Sequence, residues 1–236
     1  MINVICVKWG DRYDYSYVNR LEKMVAQNLS LPHTFYCYTD NPKNINSKTI
    51  SMPDDGLELW WPKLRMFEKG FGGLEGECLF FDLDVVIQKN IDHLLDFKGF
   101  HWIQAYWKFN KTIGYESGMR QKEAFDMNCN SSCMRWRVGE NEHIWNYFWN
   151  DPEYFMMKYV GIDRFMFHEG FGGSTFSEGI FYSRKHGIKH GDLPLIAPPW
   201  YNSEEHTVCL MNGMHKVTKE LFNEWKPYEG YEKYYL

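Results

Sequence analysis

The chain has 236 residues, 44% of them hydrophobic and 24% charged, a globular balance that excludes a disordered polypeptide. Its formal net charge of −5 excludes the basic footprint of a nucleic-acid binder. No apolar run approaches the roughly 20 residues of a membrane span. Met1-Ile-Asn-Val-Ile-Cys-Val-Lys8 lacks the basic flank and the apolar length of a signal peptide, so it reads as a first strand. Four of the six cysteines lie in apolar, strand-like runs, where a thiol behaves as a small hydrophobe. Cys129 and Cys133 match neither a redox pair nor a common zinc knuckle, and read as core. A reducing, cytoplasmic compartment is expected.

In chain order, Val4 to Val7 predicts a buried strand, and Lys8 to Arg12 a loop. Tyr17, Val18, Leu21, Met24 and Val25 recur at helical spacing, and that helix ends near Asn28. Thr34 to Thr39 predicts a second strand. The opening is therefore β-α-β, the unit of a parallel, nucleotide-binding type of sheet. Trp9-Gly10-Asp11 replaces the glycine fingerprint of nicotinamide and flavin domains, which argues against a domain of that kind. Ile50 to Met52 suits a short edge strand. In Leu59 to Phe67, Pro62 suits a first helical turn and Gly70 a helix end.

Cys78-Leu-Phe-Phe-Asp-Leu-Asp-Val-Val-Ile87 is the central feature. Its apolar run predicts a strand buried on both faces of a parallel sheet. Ligands collect at the carboxyl ends of such strands. Asp82 and Asp84 share one face of an extended strand, and a bend at the strand end brings both to one site. Buried acids need a cationic partner, and a hard divalent cation carrying a phosphorylated ligand supplies one.

Further on, His101 to Tyr106 suits a strand, and residues 108 to 126 are polar and loop-rich. Ile144, Trp145, Phe148 and Trp149 share a helix face. Asp151-Pro152 reads as a cap and first turn. Gly161 to His168 predicts a short helix. Gly179 to Ser183 and Thr207 to Met211 predict strands, and Glu220 to Trp225 a late helix. His186 and His190, beside Gly187 and Gly191, read as loop histidines rather than helical zinc ligands. Aromatics reach 18%, mostly as core; Trp60 and Trp61 suit either packing or stacking on a sugar.

These pieces, in order, resemble GT-A-fold glycosyltransferases of the glycogenin-like and galactosyltransferase-like kind, in an unusually small form. Val4 to Val7 resembles the first strand, Trp61-Pro62-Lys63 the segment before the metal strand, and Phe80 to Asp84 the Asp-x-Asp strand. Asn130-Ser131-Ser132 resembles the loop beside the donor sugar. Gly161-Ile162-Asp163 resembles the helix start beyond it, and Asn212 to Lys216 the late phosphate loop. The resemblance implies one α/β GT-A domain over residues 1–236: a mixed Rossmann-like sheet flanked by helices. Residues 1–100 form its nucleotide-binding half, and 101–236 its donor-sugar and acceptor half.

The implied activity is metal-dependent transfer of a sugar from a nucleotide diphosphate, UDP-sugar favoured, to an acceptor hydroxyl. Asp82 and Asp84 would hold Mn2+ or Mg2+, completed by Asn212 or His215. Val7, Lys8, Trp9, Tyr13, Lys63, Asp82 and Lys216 would bind the nucleotide. Asn130, Ser131 and Asp163 would border the sugar, with Asp163 and Asp84 serving the chemistry. Two departures stand out: Asn212 replaces the family's metal-binding histidine, and Ile162 and Arg164 alter its Gly-Asp-Gln. The strand also resembles the first motif of haloacid-dehalogenase-type phosphatases, with Asp82 as nucleophile. A third reading is a non-catalytic carbohydrate-binding protein.

Overall fold

The computed structural model describes residues 1–106, 129–187, 202–212 and 230–235. Strand β1 (Ile2–Lys8), helix α1 (Tyr15–Asn28) and strand β2 (His33–Thr39) form the expected β-α-β opening. β1 and β2 run parallel, from Ile2 opposite His33 to Lys8 opposite Thr39. Asp14 caps α1 by accepting the Ser16 amide N–H at 2.8 Å. Val18, Leu21, Met24 and Val25 form its buried stripe. Strand β3 (Lys48–Ser51) pairs parallel with β2 at the sheet edge. Its lysine and hydroxyl side chains suit an edge that faces water.

Strand β4 (Glu77–Phe81) runs parallel to β1. Beyond it the apolar run does not continue as one strand. Asp82, Leu83 and Asp84 form a turn, and β5 (Val85–Ile87) belongs to a second sheet. β6 (His101–Gln104) and β7 (Cys129–Arg137) follow, then α2 (Glu142–Trp149), α3 (Pro152–Lys158) and α4 (Ile162–His168). β8 (Ser174–Thr175), β9 (Phe181–Ser183) and β10 (Val208–Leu210) complete the described strands. Among the described residues the large sheet has the order β3-β2-β1-β4-β7-β6-β8, and the small one β5-β10-β9. β7 is antiparallel to both β4 and β6, so the large sheet is mixed rather than parallel throughout.

The strands sort their side chains by alternation. Val4, Cys6, Leu79 and Phe81 pack with α1 and the small sheet. Ile5, Cys78, Phe80, Met134 and Trp136 pack under α2 and α4 on the opposite face. All six cysteines are free and buried, as their apolar settings predict. No helix among the described residues is long and apolar enough to cross a membrane.

The local expectations hold at Pro62 and Gly70 and are corrected at Asn130 to Ser132 and at Trp149. Trp61–Phe67 is a 3-10 helix, with Pro62 in its first turn. Gly70 takes a left-handed conformation three residues after it. Asn130 to Ser132 are not a loop but the opening residues of β7. Trp149 is 40% exposed although Ile144, Trp145 and Phe148 are buried. It lies at the last turn of α2, stacked on Trp145 with Arg65 over its face. The polar segment 108–126 and the late helix expected at 220–225 lie outside the described residues, as does His190, while His186 sits in a turn after β9.

Arg135 is buried in β7, where it pairs with Glu77 of β4 and donates to the Gly99 carbonyl at 2.9 Å. Removing one partner of a buried pair strands the other charge. Glu77→Gln is expected to destabilise the fold by about 2 kcal/mol, less than for a fully enclosed pair because Glu77 reaches solvent. Urea unfolding at neutral pH checks this; an unchanged midpoint would show that Gly99 alone satisfies the guanidinium.

Candidate functional site

β1 and β4 end side by side, and a cleft of about 250 Å3 opens beyond them. Val7, Trp9 and Tyr13 line it from the β1 side. Asp82, Leu83 and Asp84 line it from the turn after β4, with Lys63 beside them. At this turn Leu83 is buried, while Asp82 and Asp84 are partly buried and border the cleft. That single apolar anchor holds the chain as it passes from one sheet to the other.

A second cavity of about 270 Å3 shares Trp60, Lys63 and Asp82 with the first. Its other wall is Asn130 to Ser132 from β7 and Val160 to Arg164 at the start of α4. Asp163 fixes this junction. Its Oδ1 accepts the Ser131 amide N–H at 3.0 Å, and its Oδ2 accepts Asn130 Nδ2 at 3.3 Å. Asn130 Oδ1 in turn accepts the Ser132 amide N–H at 3.0 Å. Gly161 allows close approach: a Cβ there would lie 2.8 Å from Trp60 Nε1, and its φ of +94° disfavours any side chain.

The structure therefore gathers most of the candidate residues. Val7, Trp9, Tyr13, Lys63, Asp82 and Asp84 meet in the first compartment; Asn130, Ser131 and Asp163 meet in the second. Lys8 differs: it is buried, and its Nζ donates to the Gly10 carbonyl at 2.9 Å, which braces the loop behind the cleft wall. The tryptophan pair divides its roles. Trp61 is buried and stacked on Phe148 at 5.3 Å, while half-exposed Trp60 stands between the two compartments. Arg12 and Leu59 also line the first compartment. Sequence periodicity does not mark either one, because both sit in loops. Leu59 holds a left-handed φ of 59° at the cleft lip.

Asp84 and Asn212 come together through the small sheet. Leu210 pairs with Val85, and the Met211 amide donates to the Asp84 carbonyl at 3.0 Å. Asn212 follows with φ 50°, a conformation asparagine tolerates. Its Nδ2 donates to Ser183 Oγ at 2.7 Å, and its buried Oδ1 has no hydrogen-bond partner among the described residues. His215 and Lys216 lie outside the described residues.

The donor set fits a hard divalent cation in part. Two carboxylates and an amide oxygen are oxygen ligands of the right kind. Among the described residues, however, no three His, Cys, Asp or Glu side chains converge on one point. Asp82 is already paired with Lys63. A cation here would take one or two carboxylates and rely on ligand phosphates and water for the rest, as Mg2+ commonly does.

Burial pushes the Asp82 carboxyl above the usual carboxylate range; the Lys63 ammonium opposes that rise, and the Asp84 charge adds to it. Because the folded pKa is raised, the Asp82 contribution to stability is full below the unfolded value of about 3.9. It is lost as pH rises through the folded value. Lys63→Met removes the opposing charge. The loss of stability between pH 4 and pH 7 is therefore expected to be larger in Lys63→Met than in the wild type, by urea unfolding at both pH values. Identical pH dependence in the two proteins would show that Lys63 does not hold the carboxylate.

Comparison with protein-family models gives no match, and comparison with curated sequences gives none. Solved structures do match. A crystal structure of an active-site mutant of LgtC aligns with a TM-score of 0.62 at 12% identity, covering 98% of this chain and 94% of the other. The galactosyltransferase LgtC in complex with donor and acceptor sugar analogs aligns at 0.59 and 12% identity, covering 98% and 95%. At this identity the likeness is one of fold: the chain has a GT-A-like α/β architecture, a mixed sheet flanked by helices.

Proposed function

We propose that the chain is a glycosyltransferase that moves a sugar from a nucleotide diphosphate, UDP favoured, to an acceptor hydroxyl. The observation that carries this reading is the pair of compartments at the ends of β1 and β4, sharing Trp60, Lys63 and Asp82. A nucleotide and a sugar joined by a diphosphate need two adjoining spaces with charge control at their junction. The similar fold of LgtC, solved with donor and acceptor sugar analogs, supports the same use here.

In this reading Trp9 and Tyr13 offer faces to the base and ribose, and Asp82 and Asp84 face the diphosphate. Most of residues 1–100 that line the site serve the nucleotide. Residues 130 to 164 serve the sugar and acceptor, with Asn130, Ser131 and Asp163 holding sugar hydroxyls near the reacting carbon. A Mn2+ or Mg2+ ion held by Asp84, with Asp82 and Asn212, would neutralise charge developing on the leaving diphosphate. The acceptor oxygen bonds to the anomeric carbon, the bond from that carbon to the diphosphate oxygen breaks, and the acceptor hydroxyl passes its proton to the departing diphosphate, which leaves as the nucleoside diphosphate. Lys216 and His215 are assigned to the diphosphate and the metal on sequence resemblance alone.

The phosphatase reading requires Asp82 as a free, ionised nucleophile. Its engagement by Lys63 and its upward-shifted carboxyl count against that use.

Melting curves with UDP-glucose, UDP-galactose and GDP-mannose in the presence of Mn2+ test the proposal. A true donor at about 100 times its Kd is expected to stabilise the protein by about 2.7 kcal/mol. The stabilisation should fall with chelator and in Asp84→Ala. No shift with any nucleotide sugar counts against the transferase, phosphate release lost in Asp82→Asn supports the phosphatase, and glycan binding that survives Asp84→Ala and chelator supports a carbohydrate-binding protein.

A further inference from the structure

The Asp-x-Asp turn does not present two open carboxylates. Asp82 already holds the Lys63 ammonium at its Oδ1. The pair is mostly removed from water: the Lys63 side chain is 12% exposed and that of Asp82 22%. The ammonium also lies over the Phe80 ring, 5.2 Å from its centroid, so its place is defined on two sides. Lys63 and Asp82 line both compartments, whereas Asp84 lines the first. A cation of the protein's own therefore stands at the junction, on one of the two carboxylates suited to a divalent ion.

An ammonium and a divalent cation do not share Asp82 without cost. Like charges disfavour one another at such range, and salt screens them little where the pair is part-buried. A metal ion by itself has to displace Lys63 and leave the ammonium uncompensated, which is costly away from water. A diphosphate alters that balance, because its oxygens accept an ammonium as a carboxylate does. Lysine serves such groups as a point charge on a flexible four-carbon stem. The base of this stem is anchored in the 3-10 helix by buried Trp61, Pro62 and Leu64. An anchored base and a flexible stem confine the ammonium to the junction while letting it change partner there.

We propose that Lys63 is a place-holding cation: it occupies Asp82 in the ligand-free protein and passes to the diphosphate when metal and nucleotide bind together, so that one residue couples the two binding events. The inference rests on the transferase reading above and adds how the site admits its ligands.

Mn2+ binding is read directly, from loss of the free-ion electron paramagnetic resonance signal at pH 7.5, with and without saturating UDP. Wild type, Lys63→Met and Lys63→Arg are compared. Wild type is expected to bind Mn2+ at least about tenfold more tightly with UDP than without, within the usual range of coupling between sites. Lys63→Met is expected to bind Mn2+ alone about tenfold more tightly than wild type does, because a like charge has left the site. The same variant is expected to bind UDP in the presence of Mn2+ about tenfold more weakly, because the diphosphate has lost an ammonium. Lys63→Arg keeps the charge and is expected to follow wild type for Mn2+ alone.

The two shifts in Lys63→Met have opposite signs, whereas general damage to the site weakens both. Ligand-free melting of each variant reports folding, and Lys63→Gln takes the place of Lys63→Met if the latter does not fold. Mn2+ binding alone that is no tighter in the variant without the charge overturns the inference. So does equal Mn2+ affinity of wild type with and without UDP, a result that needs no variant. In either case binding of UDP by wild type leaves the transferase reading standing. Failure of wild type to bind UDP or any nucleotide sugar overturns both.

Discussion

The arrangement depends on one electrostatic requirement: a carboxylate that ends a buried central strand must be held. Asp82 follows four buried residues of β4, and burial disfavours its charge. Lys63 supplies the compensating ammonium from the 3-10 helix, and that ammonium also lies over the Phe80 ring, 5.2 Å from its centroid. The Asp82 amide bonds to the Ser132 carbonyl at 2.9 Å. One residue thus joins the 3-10 helix, β4 and β7, and the two compartments open on either side of that junction.

The scaffold behind the second compartment is stiff for a related reason. Glu169, at the end of α4, accepts hydrogen bonds from Tyr147 of α2 and from Tyr159, just past α3, and pairs with Lys158. Phe148, Phe155 and Phe165 fill the space between these helices with ring contacts of 5.1 to 6.2 Å. Three helices of seven or eight residues are too short to be stable alone. Packed and tied at Glu169, they hold Asp163 against the first residues of β7. A site carried on such supports keeps its geometry better than one carried on free loops.

Charge is distributed unevenly across the site. The first compartment brings Asp82 and Asp84 onto one lining with Trp9 and Tyr13, and Asn212, whose Oδ1 has no hydrogen-bond partner among the described residues, follows the strand paired beside Asp84. The second engages Asp163 internally, with the Ser131 amide and Asn130. The first arrangement suits a cation, while the second sets hydroxyl and amide groups beside apolar side chains.

Much of this was legible in the residues. The stripe from Val18 to Val25 and the unbroken apolar runs of β1 and β2 announce their elements, because periodicity records which face is buried. Asp82 and Asp84 stand out because acids next to an apolar run need a reason. The order of the site segments along the chain was legible too, and the structure brings most of them to one cleft. What the residues did not determine is the partition of Cys78 to Ile87 between two sheets. An apolar run reads the same whether it is one strand or two, and only pairing with β7 on one side and β10 on the other separates them. Likewise Trp60 and Trp61 are equivalent in sequence, yet one faces the cleft and the other Phe148. Local pattern determined the elements and the chemical groups they carry. Tertiary packing decided which groups meet, because those contacts join residues far apart in the chain.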